Sequence, residues 1–313
     1  MKKLIVVIVL LVVLVGGALT IVNFVLDHRT VKTHTVAQTV RGIVVKSGSG
    51  HVDLIPASRR ITVRETQHYV FNKPKLEQSV HNGVLTLNSD CNVAVIKCYA
   101  DLRIAVPAGM QVTVQADSGD VDAREIDVRS GHMGSDSGDV RLSLVGRQQL
   151  VWAHTDSGYV EVIAADARAV DAQADSGDVA VDVFRRAPRR VLARTDSGSV
   201  QVLVPKGDYA VQAHTDSGDV KIAGITRNDH APNSIQVQTD SGNIAIRARC
   251  RAPDDAHRTV PASSPTVQRA DHPLATAVAF ADDGRRVATA GGDGTLRVWD
   301  WRVPRDPDHR PEP

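Results

Sequence analysis

One five-residue phrase, Asp-Ser-Gly followed by any residue and then by a β-branched residue, occurs seven times in this chain. Successive phrases begin 19 to 24 residues apart. A period near twenty residues is typical of stacked structural units, each of which buries its apolar face against its neighbours. The leading aspartates of the phrase are Asp117, Asp136, Asp156, Asp175, Asp196, Asp216 and Asp240.

Apolar or small residues alternate with polar residues on both sides of each phrase. Val170 and Ala172 precede Asp175, for example, and Val179 and Val181 follow it. This alternation predicts two half-buried strands in each unit. The phrase between them is predicted to form a corner, because glycine takes a positive φ without steric cost and an Asp side chain accepts a hydrogen bond from the backbone N–H two residues on. The predicted corner glycines are Gly119, Gly138, Gly158, Gly177, Gly198, Gly218 and Gly242.

Two strands and a corner per unit are compatible with a row of hairpins or with one coil of a β-solenoid. The solenoid is favoured, because the corner and the inward-facing positions match from unit to unit, as in-register parallel stacking requires. The predicted fold class is all-β, a β-solenoid (β-helix) of coils of about 20 residues. It is expected to occupy residues 41–250, with an irregular cap at 41–110 and regular coils at 111–250.

An uncharged apolar run covers residues 4–26 and follows two lysines. A helix of this length is about 34 Å long, which is enough to cross a bilayer. The run predicts an uncleaved, single-pass anchor in the cell membrane, with residues 1–3 in the cytoplasm, a stalk at 27–40 and an extracytoplasmic C-terminal domain. The alternative is a cleaved signal peptide that ends near Ala18.

Charge and cysteine content restrict the partners. The 37 Lys and Arg residues are balanced by 36 Asp and Glu, so the net charge of +1 does not indicate nucleic acid as a partner.

Cys91 and Cys98 flank a span that is able to fold back as a short hairpin. In an exported domain this favours a disulfide between them, with two unpaired core thiols as the alternative. Their spacing matches no common zinc motif, and Cys250 is left over.

Several motifs resemble a known family. The segment Val106-Pro107-x-Gly109 and the Ser-Gly-Asp-Val phrases after it are similar to the adhesin family of bacterial β-helical surface proteins. The resemblance spans residues 40 to 250 and implies a membrane-attached extracytoplasmic β-helix without catalytic residues to transfer, at the level of fold alone. Further similarities are Asn82-Gly83, the pair Cys91 and Cys98, and Val204-Pro205-x-Gly207.

The end of the chain has a different character. Residues 271–301 resemble a single WD40 repeat, with Asp293-Gly294 and Trp299-Asp300 in the matching places. Because a propeller needs about four or more blades, one repeat cannot close on itself. It adds strands to the solenoid, pairs with another chain, or is a relic of gene fusion. Residues 251–270 are predicted to form a linker and 302–313 a disordered tail.

Repeated acidic residues near the corners allow a calcium interpretation. Pairs of carboxylates at consecutive corners supply the oxygen ligands that Ca²⁺ prefers, while the alternative is that they only bond the corner backbone. No other metal and no cofactor is predicted. The candidate calcium ligands are Asp117 with Asp120, Asp136 with Asp139, Asp175 with Asp178, and Asp216 with Asp219.

The grouping of His154, Asp156 and Ser157, which recurs at residues 214–217, resembles the parts of a hydrolase. Catalysis needs one activated Ser, and no Gly-x-Ser-x-Gly elbow is present, so no catalytic residue is predicted. Trp152 and Tyr159 are predicted to lie on opposite sides of one corner, which does not make a sugar platform. Trp152 is interpreted as a residue that flanks the surface.

These observations predict a non-enzymatic, membrane-anchored extracytoplasmic β-solenoid. It is expected to bind a protein or glycan ligand at a surface, as adhesins do, or to serve as an envelope scaffold. One alternative is a polysaccharide-acting β-helix enzyme, in which acidic residues would cluster on the outer face of one coil. Another is an interaction module of the cell envelope.

Overall fold

The computed structural model describes residues 28–91, 97–249, 275–280, 286–291 and 296–300. Within these ranges the chain forms strands and turns. None of the described elements is a helix of the length and hydropathy needed to cross a membrane. Four predicted segments lie outside the described residues, namely the anchor at 4–26, the linker at 251–270, the tail at 302–313 and the odd Cys250.

Two parallel sheets face each other, and each coil contributes one strand to each sheet. Sheet 1 holds the strands that lead into the Asp-Ser-Gly corner. Its strands, in spatial order, are β5 (Lys75–His81), β6 (Val84–Asp90), β2 (Gly42–Ser49), β8 (Met110–Ser118), the second half of β9 (Val121–Ser137), β11 (Leu150–Ser157), β13 (Ala169–Ser176), β15 (Arg190–Ser197), β20 (Ser234–Ser241) and β17 (Asp208–Ser217).

Sheet 2 holds the strands that leave the corner. Its strands, in spatial order, are β1 (His28–Thr35), β4 (Thr62–Tyr69), β7 (Cys98–Pro107), β3 (Val52–Ala57), the first half of β9, β10 (Val140–Gln148), β12 (Val160–Ala167), β14 (Val179–Val183), β16 (Val200–Val204), β21 (Ile244–Ala248) and β18 (Val220–Ala223). The short β19 (Thr226–Arg227) pairs with β17.

The core lies between the sheets and consists of the alternate residues predicted to point inward. Val160 and Val162 are buried in β12, and Val170 and Ala172 are buried in β13. Equivalent residues are paired in register from coil to coil, as Val140, Val160 and Val179 are. Each buried Val contributes roughly 1.5–3 kcal/mol. The prediction of an all-β, parallel, solenoid-like architecture is confirmed.

The corner glycines continue the parallel hydrogen-bond ladder from one coil to the next. The N–H of Gly158 donates to the carbonyl of Ser176 at 3.0 Å, and the N–H of Gly177 donates to Ser197 at 2.8 Å. The predicted bond from the leading carboxylate to the N–H two residues on is therefore wrong, because the neighbouring coil already occupies that N–H. The leading aspartates are exposed at the corner instead.

The coils are not stacked in chain order at either end, which differs from a simple sequential column. The coil of β20 and β21 lies between that of β15 and β16 and that of β17 and β18. Likewise, the coil of β2 and β3 lies between that of β6 and β7 and that of β8 and β9. Strands β2 and β3, which lie within the predicted irregular cap at 41–110, thus form a coil with the regular corner bond, in which the Gly50 N–H donates to the carbonyl of Ser118 at 3.1 Å.

Antiparallel strands cover the first open edge of the sheets, which would otherwise invite pairing with another chain. Strand β1 pairs with β4, and β4 pairs with β7. Residues 28–35, expected to belong to the stalk, therefore form an edge strand. On the other sheet, Asn82 and Gly83 adopt positive φ angles in the turn between β5 and β6, as expected for Asn-Gly in a hairpin. A disulfide joins Cys91 and Cys98.

A second, separate unit contains the strands that follow the solenoid. Strands β22 (Ala275–Phe280), β23 (Arg286–Gly291) and β24 (Leu296–Asp300) form an antiparallel sheet in which β23 is central.

Candidate functional site

The residues that follow the corner glycines form a column, and at several corners their side chains accept hydrogen bonds from the backbone of the neighbouring coil. Asp120 Oδ1 accepts the N–H of Asp139 at 2.9 Å, and Asp139 Oδ1 accepts the N–H of Tyr159 at 2.7 Å. Asp178 Oδ1 accepts the N–H of Ser199 at 2.7 Å. These candidate calcium ligands therefore serve the corner backbone. Among residues 28–91 and 97–249, no three His, Cys, Asp or Glu side chains are grouped to hold a metal ion.

The two histidines of the hydrolase-like segments contact aspartate. His154 Nε2 lies 3.0 Å from Asp156 Oδ1, and His214 Nε2 lies 2.9 Å from Asp216 Oδ1. Within the described part of the chain, no hydrogen bond joins either histidine to the serine of its own segment. Since the same pair recurs on two coils, the arrangement belongs to the repeat and does not form one distinct centre.

An aromatic patch lies on the outer face of sheet 1. The Trp152 indole stacks on the His132 imidazole of the preceding coil, with ring centroids 3.8 Å apart and an interplanar angle of 9°. The His154 imidazole is tilted against the indole, with ring centroids 5.4 Å apart. We call His132, Trp152 and His154 the aromatic patch. Asp136 and Asp156, both exposed, follow it at the corner.

The absence of a side chain at Gly134 leaves room for the Trp152 indole. Gly134 is buried and pairs with His154 in the parallel register. A Cβ at Gly134 would lie 3.3 Å from Cζ3 of Trp152 and 3.1 Å from Oε1 of Gln115. The indole therefore lies against bare backbone, which holds its large apolar surface on a rigid sheet.

Burial lowers the pKa of His132, and the neighbouring His154 lowers it further. The neutral imidazole is thus the form that stacks on Trp152 above the ordinary titration range of histidine. Because the unfolded chain binds the proton more readily than the folded chain in this window, the contribution of His132 to stability is present at higher pH and is lost as the pH falls below about 6.5.

We expect Trp152 fluorescence to report this titration. In a variant with Trp299→Phe and Trp301→Phe, emission should fall on acidification with a midpoint below 6.5, because protonated imidazole in contact with indole quenches it. Because His154 also lies against the indole, the measurement is made in a background that carries His154→Gln. There, the further change His132→Gln should abolish the transition. A midpoint at or above 6.5, or a transition that survives the removal of both histidines, would contradict this assignment.

The aromatic patch was only partly visible in the sequence. The sequence pattern indicates only a surface-flanking role for Trp152, and it does not distinguish His132 from other polar residues on its strand. The signal was present, because both occupy the fourth position before their leading aspartates, and this position aligns across coils. Tyr159 was expected on the other side of the corner, and it follows Gly158 on the way into sheet 2.

The two in-register sheets and the single column of glycine corners define the class of protein, a parallel β-solenoid with a capped amino-terminal edge. The chain belongs to the Toastrack DUF4097 family, whose model matches residues 32–247. The WD domain G-beta repeat model matches residues 265–300, in agreement with the WD40-like motifs.

Several solved structures match this chain at low sequence identity and with TM-scores below 0.5. A putative adhesin from Bacteroides fragilis is 13% identical, with a TM-score of 0.41 over 70% of this chain and 97% of that one. A putative adhesin from Parabacteroides merdae is 10% identical, with a TM-score of 0.42 over 71% and 97%. A putative lipid binding protein from Parabacteroides distasonis is 12% identical, with a TM-score of 0.31 over 71% and 97%. Comparison with curated proteins gives no match.

Proposed function

We propose that this protein is a non-enzymatic, adhesin-like binding protein of the cell envelope. In this proposal residues 4–26 anchor the chain in the membrane, and the solenoid is extracytoplasmic. The aromatic patch is the observation that carries the proposal. An indole held flat on a rigid sheet loses little conformational freedom on binding, and tryptophans in such positions contribute a large share of binding energy.

The distribution of polar groups supports a binding role over the alternative of a polysaccharide-acting enzyme. Such enzymes place two carboxylates on either side of one scissile bond. Here the carboxylates are spread over the corners, where Asp139 and Asp178 bond backbone N–H groups. Among the described strands of sheet 1, the stacked pair of His132 and Trp152 occurs once on the outer face, and we assign one site for a protein or glycan ligand to it.

Replacement of Trp152 by Ala should weaken binding to the ligand at least tenfold, because the indole supplies most of the apolar surface of the patch. The measurement is binding of the full chain, purified in detergent, to arrayed envelope glycans and to whole cells. Phe71→Ala is the matched control, since Phe71 is a 66% exposed aromatic residue outside the patch. Equal binding by the Trp152→Ala chain and the parent would refute the assignment of this site.

The proposed location has a separate test. External protease should cleave the repeats in intact cells, or at least the exposed loop at 227–233. Full protection of the repeats in intact cells, together with cleavage after lysis, would contradict the proposed extracytoplasmic location.

A further inference from the structure

A second corner connects sheet 2 back to sheet 1 in each coil, on the side opposite the Asp-Ser-Gly column. Arg147, Arg168, Arg186 and Arg189 are all exposed there. Together with Gln149 and Asp166 they line a surface cavity of about 380 Å³. We call this cavity the arginine groove. We propose that the arginine groove binds an acidic polysaccharide.

The groove has an excess of positive charge that the described protein does not neutralise. Asp166 is its one carboxylate, and Asp166 Oδ2 lies 3.4 Å from Nε of Arg186. Among the described residues, no ion pair involves Arg147, Arg168 or Arg189. Three guanidinium groups therefore remain available to an external anion.

Coil stacking forces these like charges together. The N–H of Arg189 donates to the carbonyl of Arg168 at 2.8 Å, and the two residues directly precede the neighbouring strands β15 and β13 of sheet 1. The N–H of Gln149 donates to Arg129 at 2.8 Å, which extends the same row by two coils. In-register strands are about 4.8 Å apart, so neighbouring arginines on this row repel each other. A bound anion would relieve this repulsion.

The geometry favours a linear polymer over a single small anion. The row of Arg129, Arg168 and Arg189 runs along the stacking direction, with Gln149 between the first two. Each guanidinium presents a planar fork that matches a carboxylate or sulfate group in bidentate fashion. A chain with an anionic group on successive sugars would contact several of these forks at once.

The residues that line the arginine groove also favour an acidic polysaccharide over other polyanions. These residues are Arg, Gln, Asp and Ala, without the aromatic rings on which nucleic-acid bases stack. The groove likewise lacks a large apolar side chain that would enter a bilayer. The leading aspartates of the Asp-Ser-Gly column moreover lie at the opposite corner of each coil, away from the groove. The positive charge of the arginine groove therefore attracts a polyanion to this side of the solenoid.

The test measures binding of the full chain to polygalacturonate and to dextran sulfate, with neutral dextran as the uncharged reference. The parent chain should bind both acidic polymers with an affinity that falls as salt rises, and it should not bind neutral dextran. The double variant Arg168→Gln/Arg189→Gln should bind at least tenfold more weakly. Arg194→Gln/Arg247→Gln is the control of equal net charge, because both residues are exposed on strands away from the groove.

An equal loss in the two double variants would overturn the site, since it would show an effect of net charge alone. Tighter binding of single-stranded DNA, or of phosphatidylglycerol vesicles, at matched charge concentration would overturn the ligand class. If the first double variant loses its strand signal in circular dichroism, the single variant Arg147→Gln replaces it and should show at least a threefold loss. Polymer binding is scored on the arginine variants, and binding to glycan arrays and cells is scored on Trp152→Ala, so failure of the aromatic patch and failure of this groove are distinguishable.

Discussion

Replacement of Gly177 by Ala should destabilise the solenoid by about 4 kcal/mol, because positive-φ strain and overpacking each cost roughly 1–3 kcal/mol. The φ angle of Gly177 is +139°. A Cβ there would lie 2.7 Å from the carbonyl carbon of Gly158, and the carbonyl oxygen is closer still. Both partners are backbone, so neither is able to swing aside. The measurement is the urea midpoint followed by circular dichroism.

Two other glycines separate the strain from the clash. Gly109 has a φ of +78° and open space around its Cβ position, so Gly109→Ala introduces strain alone and should cost about 1 kcal/mol. Gly207 has no positive φ, and its nearest neighbour, Tyr209 Cε2, is at an ordinary 3.7 Å. Gly207→Ala should therefore be nearly neutral. Equal urea midpoints for all three variants would show that close packing between corners is not the reason for glycine at position 177.

Truncation of the chain after Arg227 should unfold the coil that precedes the cut in sequence. Strand β17 pairs with β20 and with the short β19, and β18 pairs with β21. Removal of residues 228–249 therefore takes away the coil on which β17 and β18 are stacked. Amide exchange at residues 210–217 should approach the rate of an unfolded chain.

The matched control is a chain that ends at Arg249, which keeps β20 and β21 and should retain slow exchange at residues 210–217. The comparison distinguishes the observed stacking from a sequential one. In a sequential column, residues 210–217 would stack on β15, and loss of the last coil would leave them protected. Slow exchange at residues 210–217 in the shorter chain would contradict the expected dependence of β17 and β18 on the coil of β20 and β21.

Strand positions and corners were predictable because they depend on local chemistry. The alternation around Asp175 specifies which side chains face the core, and the phrase with Gly177 specifies a bend that other residues do not tolerate. Both signals are read from a few neighbouring residues. The prediction for the leading aspartate is wrong for a related reason. Local chemistry allows its carboxylate to accept the glycine N–H of the same corner, but in the structure the neighbouring coil accepts that N–H.

Spatial order of the coils could not be obtained in this way. Every coil presents nearly the same strand edges and the same apolar face, so Val200 is matched equally well by Ile244 and by Val220 as a neighbour. The structure pairs Val200 with Ile244 and Ile244 with Val220. The connecting segments distinguish the two pairings, because they must allow the last coil to insert between the two coils that precede it in the sequence.

The amino-acid sequence alone determined that this chain is a stack of two-stranded coils with glycine corners, because period and turn chemistry act over short distances. Tertiary structure decided which coils are neighbours, and therefore which outward side chains meet. The contact between His132 and Trp152 joins two coils, and the arginine groove is formed by residues from several strands. Such sites exist only after parallel pairing has set the register, since each coil alone contributes a fragment of them.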